Sequence, residues 1–173
     1  WLVSPLDNRY NYGSKQKVLN KKLSYVLQYK KENLIALNGA AQIYPIISDL
    51  IKNEEILIPD PGFGEYNRMF NVKDTYIDNG EFDTNLIEDK IKNISNIVFV
   101  NPNNPTGTML KTSWILSMID TYPDKFFIVD ESFIEFSDEN SVVDDLEINS
   151  RNNVIVIRSM SKTYGLPGIR LGF

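Results

Sequence analysis

Short apolar runs alternate along the chain with stretches in which apolar residues recur every three or four positions. The two patterns predict strands and helices in turn. Over 14–30, Val18, Leu19, Leu23, Val26 and Leu27 fall on one helical face, with Ser14 placed as its N-cap. The run 34–37 predicts a short strand, broken by Asn38 and Gly39, and a helix to about Leu50. Ile56, Leu57 and Ile58 predict a strand that Pro59 and Pro61 stop. A short helix over 65–70 and a strand over 75–77 follow, then a helix over 84–93 capped by Asp83. The run 97–100 predicts a buried strand, and Thr112 is placed to cap a helix reaching about Thr121. Strands over 126–129 and 154–157 complete the pattern; the first runs into Asp130, the second into Arg158 and Ser159.

Short, non-alternating apolar strands between helices predict an α/β fold with a mainly parallel sheet flanked by helices on both faces. In such sheets ligands bind beyond the carboxyl ends of the strands. The conspicuous polar segments fall there: 38–40, 101–107, Asp130 with Glu131, and 159–162.

Composition narrows the chemistry. The chain has 173 residues, 42% of them hydrophobic, which suits one domain with a real core. Its 18 Lys and Arg against 23 Asp and Glu leave a net charge of -5, so it is a poor candidate for nucleic-acid binding. The lysines at 15, 17, 21, 22, 30 and 31 read as a solvated helix face. With no Cys and no His there is no disulfide, no thiolate or imidazole metal site, and no triad built on histidine. Acid–base chemistry near neutral pH then falls to Lys, Asp, Glu, Tyr or a cofactor. No signal-like start and no apolar run of about 18 residues occurs, so the reading is of a cytoplasmic protein, neither secreted nor membrane-spanning.

Five segments carry candidate chemistry. Lys162, in Ser159-Met-Ser-Lys162, follows a strand and precedes a Gly/Pro-rich loop ending in Arg170. In a pocket, such an amine can attack an aldehyde and form an imine, while Ser159, Ser161 and Arg170 are suited to a phosphate. A surface lysine after a strand would look the same. Asp130, at the end of an apolar strand, is suited to keep a pyridine nitrogen protonated, or else to cap the next turn. Asn104 lies in Asn-Pro-Asn-Asn-Pro-Thr-Gly, a turn rigidified by two prolines and a glycine, and is suited to donate to a phenolate oxygen, or else belongs to a rigid turn with no function. Ala40 and Ala41 follow Gly39 at a strand-to-helix turn, where small residues let backbone N–H groups approach a phosphate. Phe63, in Pro-Gly-Phe-Gly-Glu-Tyr, offers a ring for a planar cofactor, or simply a core residue.

Taken together these segments resemble fold-type-I pyridoxal-phosphate enzymes of the class I/II aminotransferase superfamily. NPNNPTG, DESFIEF and SMSKTYGLPGIRLGF match its motifs in order, and the match runs from about Tyr12 to the last residue. Within it the chain is most similar to the branch of histidinol-phosphate aminotransferases and threonine-phosphate decarboxylases. PGFGEY, DESF and LPGIRLGF lean towards the decarboxylase side. The resemblance implies pyridoxal 5'-phosphate as cofactor, held as a Schiff base by Lys162. It implies Asp130 on the pyridine nitrogen, Asn104 on the phenolic oxygen and Phe63 against the ring. Ser159, Ser161, Arg170 and the backbone at Ala40 and Ala41 would hold the phosphate. Tyr12 would reach the phosphate of a neighbouring subunit, in a homodimer. The substrate would be a small amino acid or phosphorylated amino compound, transaminated with a 2-oxo acid; decarboxylation of a phosphorylated amino acid is the alternative.

The chain departs from the pattern in three ways. Phe133 stands where many aminotransferases carry a tyrosine, and Gln42 replaces an acidic residue. The family's sequence also continues past Phe173 into a small C-terminal domain that supplies an arginine for the substrate carboxylate. The expectation is therefore of a cofactor-binding large domain, inactive by itself. Two other classes compete. A nucleotide-binding α/β domain requires GxGxxG or GxxxxGK[ST], and neither occurs. A non-catalytic module on the same fold would have lost Lys162 or Asp130, and both are present.

Overall fold

The computed structural model describes residues 15–52, 54–146 and 151–173. Two compact units emerge, Trp1–Ala36 and Leu37–Phe173. Tyr12 and Ser14 lie outside the described residues.

In the first unit, α1 (Lys15–Leu27) ends at the last residue of the predicted apolar face, three residues short of the expected 30, and of that face only Leu23 is buried; Val18, Leu19 and Val26 are exposed, as are Lys17, Lys21 and Lys22. The strand expected over 34–37 does not form over Leu34, Ile35 and Ala36. Side chains of α1 take the bonds a ladder would have used. Asn20 Oδ1 accepts from the Ala36 N–H at 3.0 Å, and Gln16 Nε2 donates to the Ala36 carbonyl at 2.5 Å.

The second unit begins with β1 (Leu37–Asn38), a turn of 3-10 helix over Ala40–Gln42 and α2 (Ile43–Leu50). Strands β2 (Glu55–Asp60), β3 (Asn71–Ile77), β4 (Asn96–Val100), β5 (Phe126–Asp130) and β6 (Val154–Ile157) form a wholly parallel sheet in the order β3-β2-β4-β5-β6. Helices α3 (Gly64–Met69), α4 (Thr84–Ile91), α5 (Thr112–Thr121) and α6 (Val142–Leu146) connect the strands. Beyond β6 come α7 (Met160–Thr163) and β7 (Leu171–Gly172), which pairs antiparallel with β1.

The apolar runs divide by parity between two cores, which is why they show no polar alternation. Leu57, Ile97, Phe99, Phe127 and Val129 pack with Ile87 and Ile91 of α4 and Ile115 of α5. Ile56, Ile58, Val98, Val100 and Ile128 pack with Tyr44 and Ile47 of α2 and Tyr66 of α3. Pro59 does not stop β2 as expected. The pairs with β4 end at Leu57, so Pro59 is laddered only to Tyr76 of β3, and a missing N–H is tolerated there. Thr112 does not cap α5 but begins it. Glu139 Oε2 accepts its N–H at 3.2 Å, while the Thr112 hydroxyl donates to the Asn140 carbonyl. The cap at Asp83 is as expected, accepting from the N–H groups of Asn85 and Leu86 at 3.0 and 3.1 Å. The carboxyl ends of β2, β4, β5 and β6 lead into the loops that build the site.

Candidate active site

Asp130 is the last residue of β5, in register with Val100 and Ile157 on the flanking strands, and only 3% exposed. Its Oδ1 accepts from the Ser132 N–H at 3.0 Å and its Oδ2 from the Tyr66 hydroxyl at 2.7 Å. Tyr66 is fully buried, edge-on to Tyr44 at 5.2 Å and stacked with Phe70 at 5.9 Å. Burial first, and then the charge of Asp130, push the Tyr66 and Tyr44 hydroxyls well above their ordinary range, so Tyr66 remains a donor. Glu131, although adjacent, serves the frame. It accepts from the Val142 N–H at 2.8 Å and the Ser141 hydroxyl at 2.5 Å, and pairs with Arg158 at 3.4 Å. Burial pushes its carboxyl up in spite of those partners.

The loop 101–107 is held by its own amides. Asn101 closes a two-way bond with the backbone of Leu110 at 3.0 and 2.8 Å. The Asn103 N–H donates to the Thr108 carbonyl, and the Gly107 N–H, from a residue at φ 75, to the Asn103 carbonyl, both at 2.8 Å. Asn104, half-buried, is thereby set into a cavity beside Phe63, whose ring is 37% exposed.

Past β6 the backbone of Arg158 exchanges two hydrogen bonds with Phe173, and Ser159 bridges Gly172. This return of the chain brings α7, with Ser161 and Lys162, against the turn at Gly39. A Cβ on Gly172 would lie 2.6 Å from Ala40 Cα, and one on Gly39, at φ 77, would lie 2.8 Å from Arg170 Cζ. Glycine at both positions is therefore what lets Arg170 and the Ala40 turn close together. The departure at Gln42 has a structural counterpart: its Oε1 accepts from the Asn38 N–H at 2.7 Å, and an amide oxygen suffices for that bond. Phe133 faces the lysine, its ring centroid 5.4 Å from Lys162 Nζ.

Ala40, Ala41, Phe63, Asn104, Asp130, Ser159, Ser161, Lys162 and Arg170 line one cavity of about 420 Å³, together with Tyr44, Ser132 and Phe133. Every sequence-predicted site residue is thus brought together except Tyr12, which is not among the described residues. The donor set fits pyridoxal phosphate: hydroxyls and a guanidinium for an anion, an exposed ring face for a planar ring, a primary amine for an aldehyde and a buried carboxyl for a ring nitrogen. The volume falls within the range of small-ligand sites. Sequence reasoning missed Tyr66, Tyr44 and Ser132. The one signal for Tyr66 was its place in the first turn of the short helix that Phe63 caps, which brings the two ring centroids to 6.4 Å. Among the described residues no group of three or more acidic, His or Cys side chains is placed to hold a metal ion, and no helix is long and apolar enough to cross a membrane.

Comparison with known proteins agrees with this geometry. The sequence model of the aminotransferase class I and II family matches residues 7–173. The histidinol-phosphate aminotransferase of Bacillus pumilus is 32% identical over 166 residues, covering 90% of the chain and 46% of the relative. Among solved structures, the L-threonine-O-3-phosphate decarboxylase of Porphyromonas gingivalis superposes with a TM-score of 0.78 at 26% identity, over 96% of the chain and 51% of its own. The histidinol-phosphate aminotransferase of Clostridium acetobutylicum gives 0.76 at 29% identity, over 89% and 48%. The chain spans about half the length of the relatives it matches.

Proposed function

We infer that the chain, which belongs to the aminotransferase class I and II family, takes pyridoxal 5'-phosphate in this cavity and serves amino-group transfer between a small amino compound and a 2-oxo acid. The observation that carries the reading is the convergence of Lys162, Asp130, Asn104, Phe63 and Arg170, from four separate segments, on one cavity. When bound, the coenzyme supplies an electron sink next to the substrate's alpha carbon. The protein's part is to hold and to move protons. Lys162 would hold the coenzyme through its amine, and its Nζ is the group suited to move a proton at the substrate's alpha carbon. Asp130, itself held by Tyr66 and Ser132, would pair with the ring nitrogen and favour its protonated form. Asn104 would donate to the phenolic oxygen, and Phe63 would cover one face of the ring. Ser159, Ser161, Arg170 and the backbone at Ala40 and Ala41 would hold the phosphate, to which Tyr12 of a second subunit would add a hydroxyl.

The resemblance further supports a cytoplasmic homodimer as the working form of the complete protein, acting on a free or phosphorylated amino substrate. Sedimentation at micromolar concentration should show a dimer; monomer alone would count against it. Titration with pyridoxal phosphate should raise a visible absorption band that saturates near one equivalent, and Lys162→Ala should abolish it. An equal band in Lys162→Ala would contradict the assignment.

Phe133, a ring without a hydroxyl beside Lys162, favours one alternative, decarboxylation of a phosphorylated amino acid on the same residues. Release of carbon dioxide with no dependence on a 2-oxo acid would select it; dependence on the oxo acid would select transamination.

A further inference from the structure

Asp78 lies at the carboxyl end of β3, outside the cavity, and takes no part in the roles above. It is only 3% exposed, while its neighbours Asn79 and Gly80 are exposed. Its Oδ1 accepts from the Gly80 N–H at 3.0 Å, which is all a turn at this position needs. Its Oδ2 does something else. It accepts from Asn103 Nδ2 at 2.6 Å and from the Thr106 hydroxyl at 2.5 Å, two donors from the loop that carries Asn104. Asn103 Nδ2 also donates to the Pro61 carbonyl at 2.9 Å, in the loop that carries Phe63. The Asp78 N–H donates to the Asp60 carbonyl at 2.9 Å, fixing the residue before Pro61 as well.

We propose that Asp78 is a positioning residue that locks the Asn104 loop to the Phe63 loop, and so sets the two side chains that meet the ring of the coenzyme. The inference rests on the reading of the cavity as a pyridoxal-phosphate site. Its physical basis is the orientation of one amide. The Pro61 carbonyl and Asp78 Oδ2 offer only acceptors, so Asn103 must present its NH2 group to both, and its Oδ1 has no partner among the described residues. That orientation depends on a charged acceptor, and charge-assisted bonds are the stronger kind. Burial pushes the Asp78 carboxyl up. The bonds from Asn103 and Thr106, with lesser ones from Thr108 and Gly80, outweigh it and hold the carboxyl below its ordinary range. Asp78→Asn puts an NH2 in place of one carboxyl oxygen: against Asn103 it frees the two loops from each other, and against Gly80 it keeps the lock on a neutral and weaker acceptor.

The test reads the coenzyme's visible absorption against pH in the full-length holoprotein. A donor at the phenolic oxygen competes for the charge that holds the proton on the Lys162 nitrogen, and so lowers the pH midpoint of the band. Asn104→Ala should raise the midpoint by roughly one pH unit, the worth of one hydrogen bond. Asp78→Asn should raise it in the same direction, and the double variant should move no further than Asn104→Ala alone. Asp83→Ala, which weakens α4 and touches neither loop, should leave it in place. A shift in Asn104→Ala with none in Asp78→Asn overturns the role of Asp78. No shift in Asn104→Ala overturns the assignment of Asn104, and the present inference with it. If Asp78→Asn does not fold, Thr106→Val removes one donor from the exposed side; it should give a smaller shift of the same sign, and an unmoved midpoint overturns the proposal.

Discussion

Tyr66 places its buried hydroxyl 2.7 Å from Asp130 Oδ2, inside a cluster of rings. Tyr66→Phe removes that donor and leaves the ring packing intact. The expected loss of stability is about 1–3 kcal/mol, read as a lowered midpoint of urea unfolding at unchanged slope. An unchanged midpoint would mean that Asp130 is held by Ser132 alone. Gly39 is constrained twice, by its φ of 77 and by the Arg170 guanidinium against it. Gly39→Ala should cost about 1–3 kcal/mol from backbone strain and displace Arg170. Pyridoxal-phosphate affinity should therefore fall more than in a variant of equal stability loss remote from the site. Lys162, Asp130 and Arg170 could be read because each stands in a motif, Asp130 at the end of a strand and Lys162 and Arg170 in the segment that follows one. Tyr66 and Asp78 could not. A tyrosine on a short helix reads as core, and an aspartate before Asn79 and Gly80 reads as a turn. Their roles come from partners 64 and 25 residues away.

Among the elements, the buried strands were readable because both their faces are apolar, so that length and flanking residues alone mark them. The errors fell where a side chain takes over a backbone bond. Asn20 and Gln16 occupy the Ala36 backbone and prevent the strand expected there. Glu139, from a distant loop, does at α5 what Thr112 was expected to do. Asp83 is the local case, in which the cap and its helix are adjacent in sequence. Asp83→Ala should destabilise the protein by about 1 kcal/mol, the usual worth of such a cap, and leave the coenzyme titration unchanged. A loss of coenzyme affinity in that variant would mean that α4 is coupled to the site, which the contacts described here do not provide.

Across the second unit, stability should depend on pH mainly through buried carboxyls. Asp78 is held below its ordinary value, so its contribution is present above the pKa of the unfolded chain and is lost as pH falls through the folded value. Asp74, Asp120 and Glu139 are shifted the same way by Lys90, Arg151 and the Thr112 N–H respectively, but they lie in more exposed pairs that solvent screens. Glu131 is raised by burial and acts with the opposite sign: its contribution is full at low pH and is lost as pH rises through its folded value. The melting temperature should therefore drop below about pH 4, the carboxylate range, and drop less steeply in Asp78→Asn. An equal slope in the two proteins would show that Asp78 is not the group responsible.

The site of coenzyme attachment decides what this cavity is for. Lys162 is the one lysine among the cavity's lining residues, whereas Lys111, 80% exposed at its side chain, is paired with Glu139 on the surface. Incubation with pyridoxal phosphate, reduction with borohydride and mapping of the labelled peptides should find the pyridoxyl group on Lys162. Label found mainly on Lys111 or Lys125, with Lys162 unmodified, would contradict it.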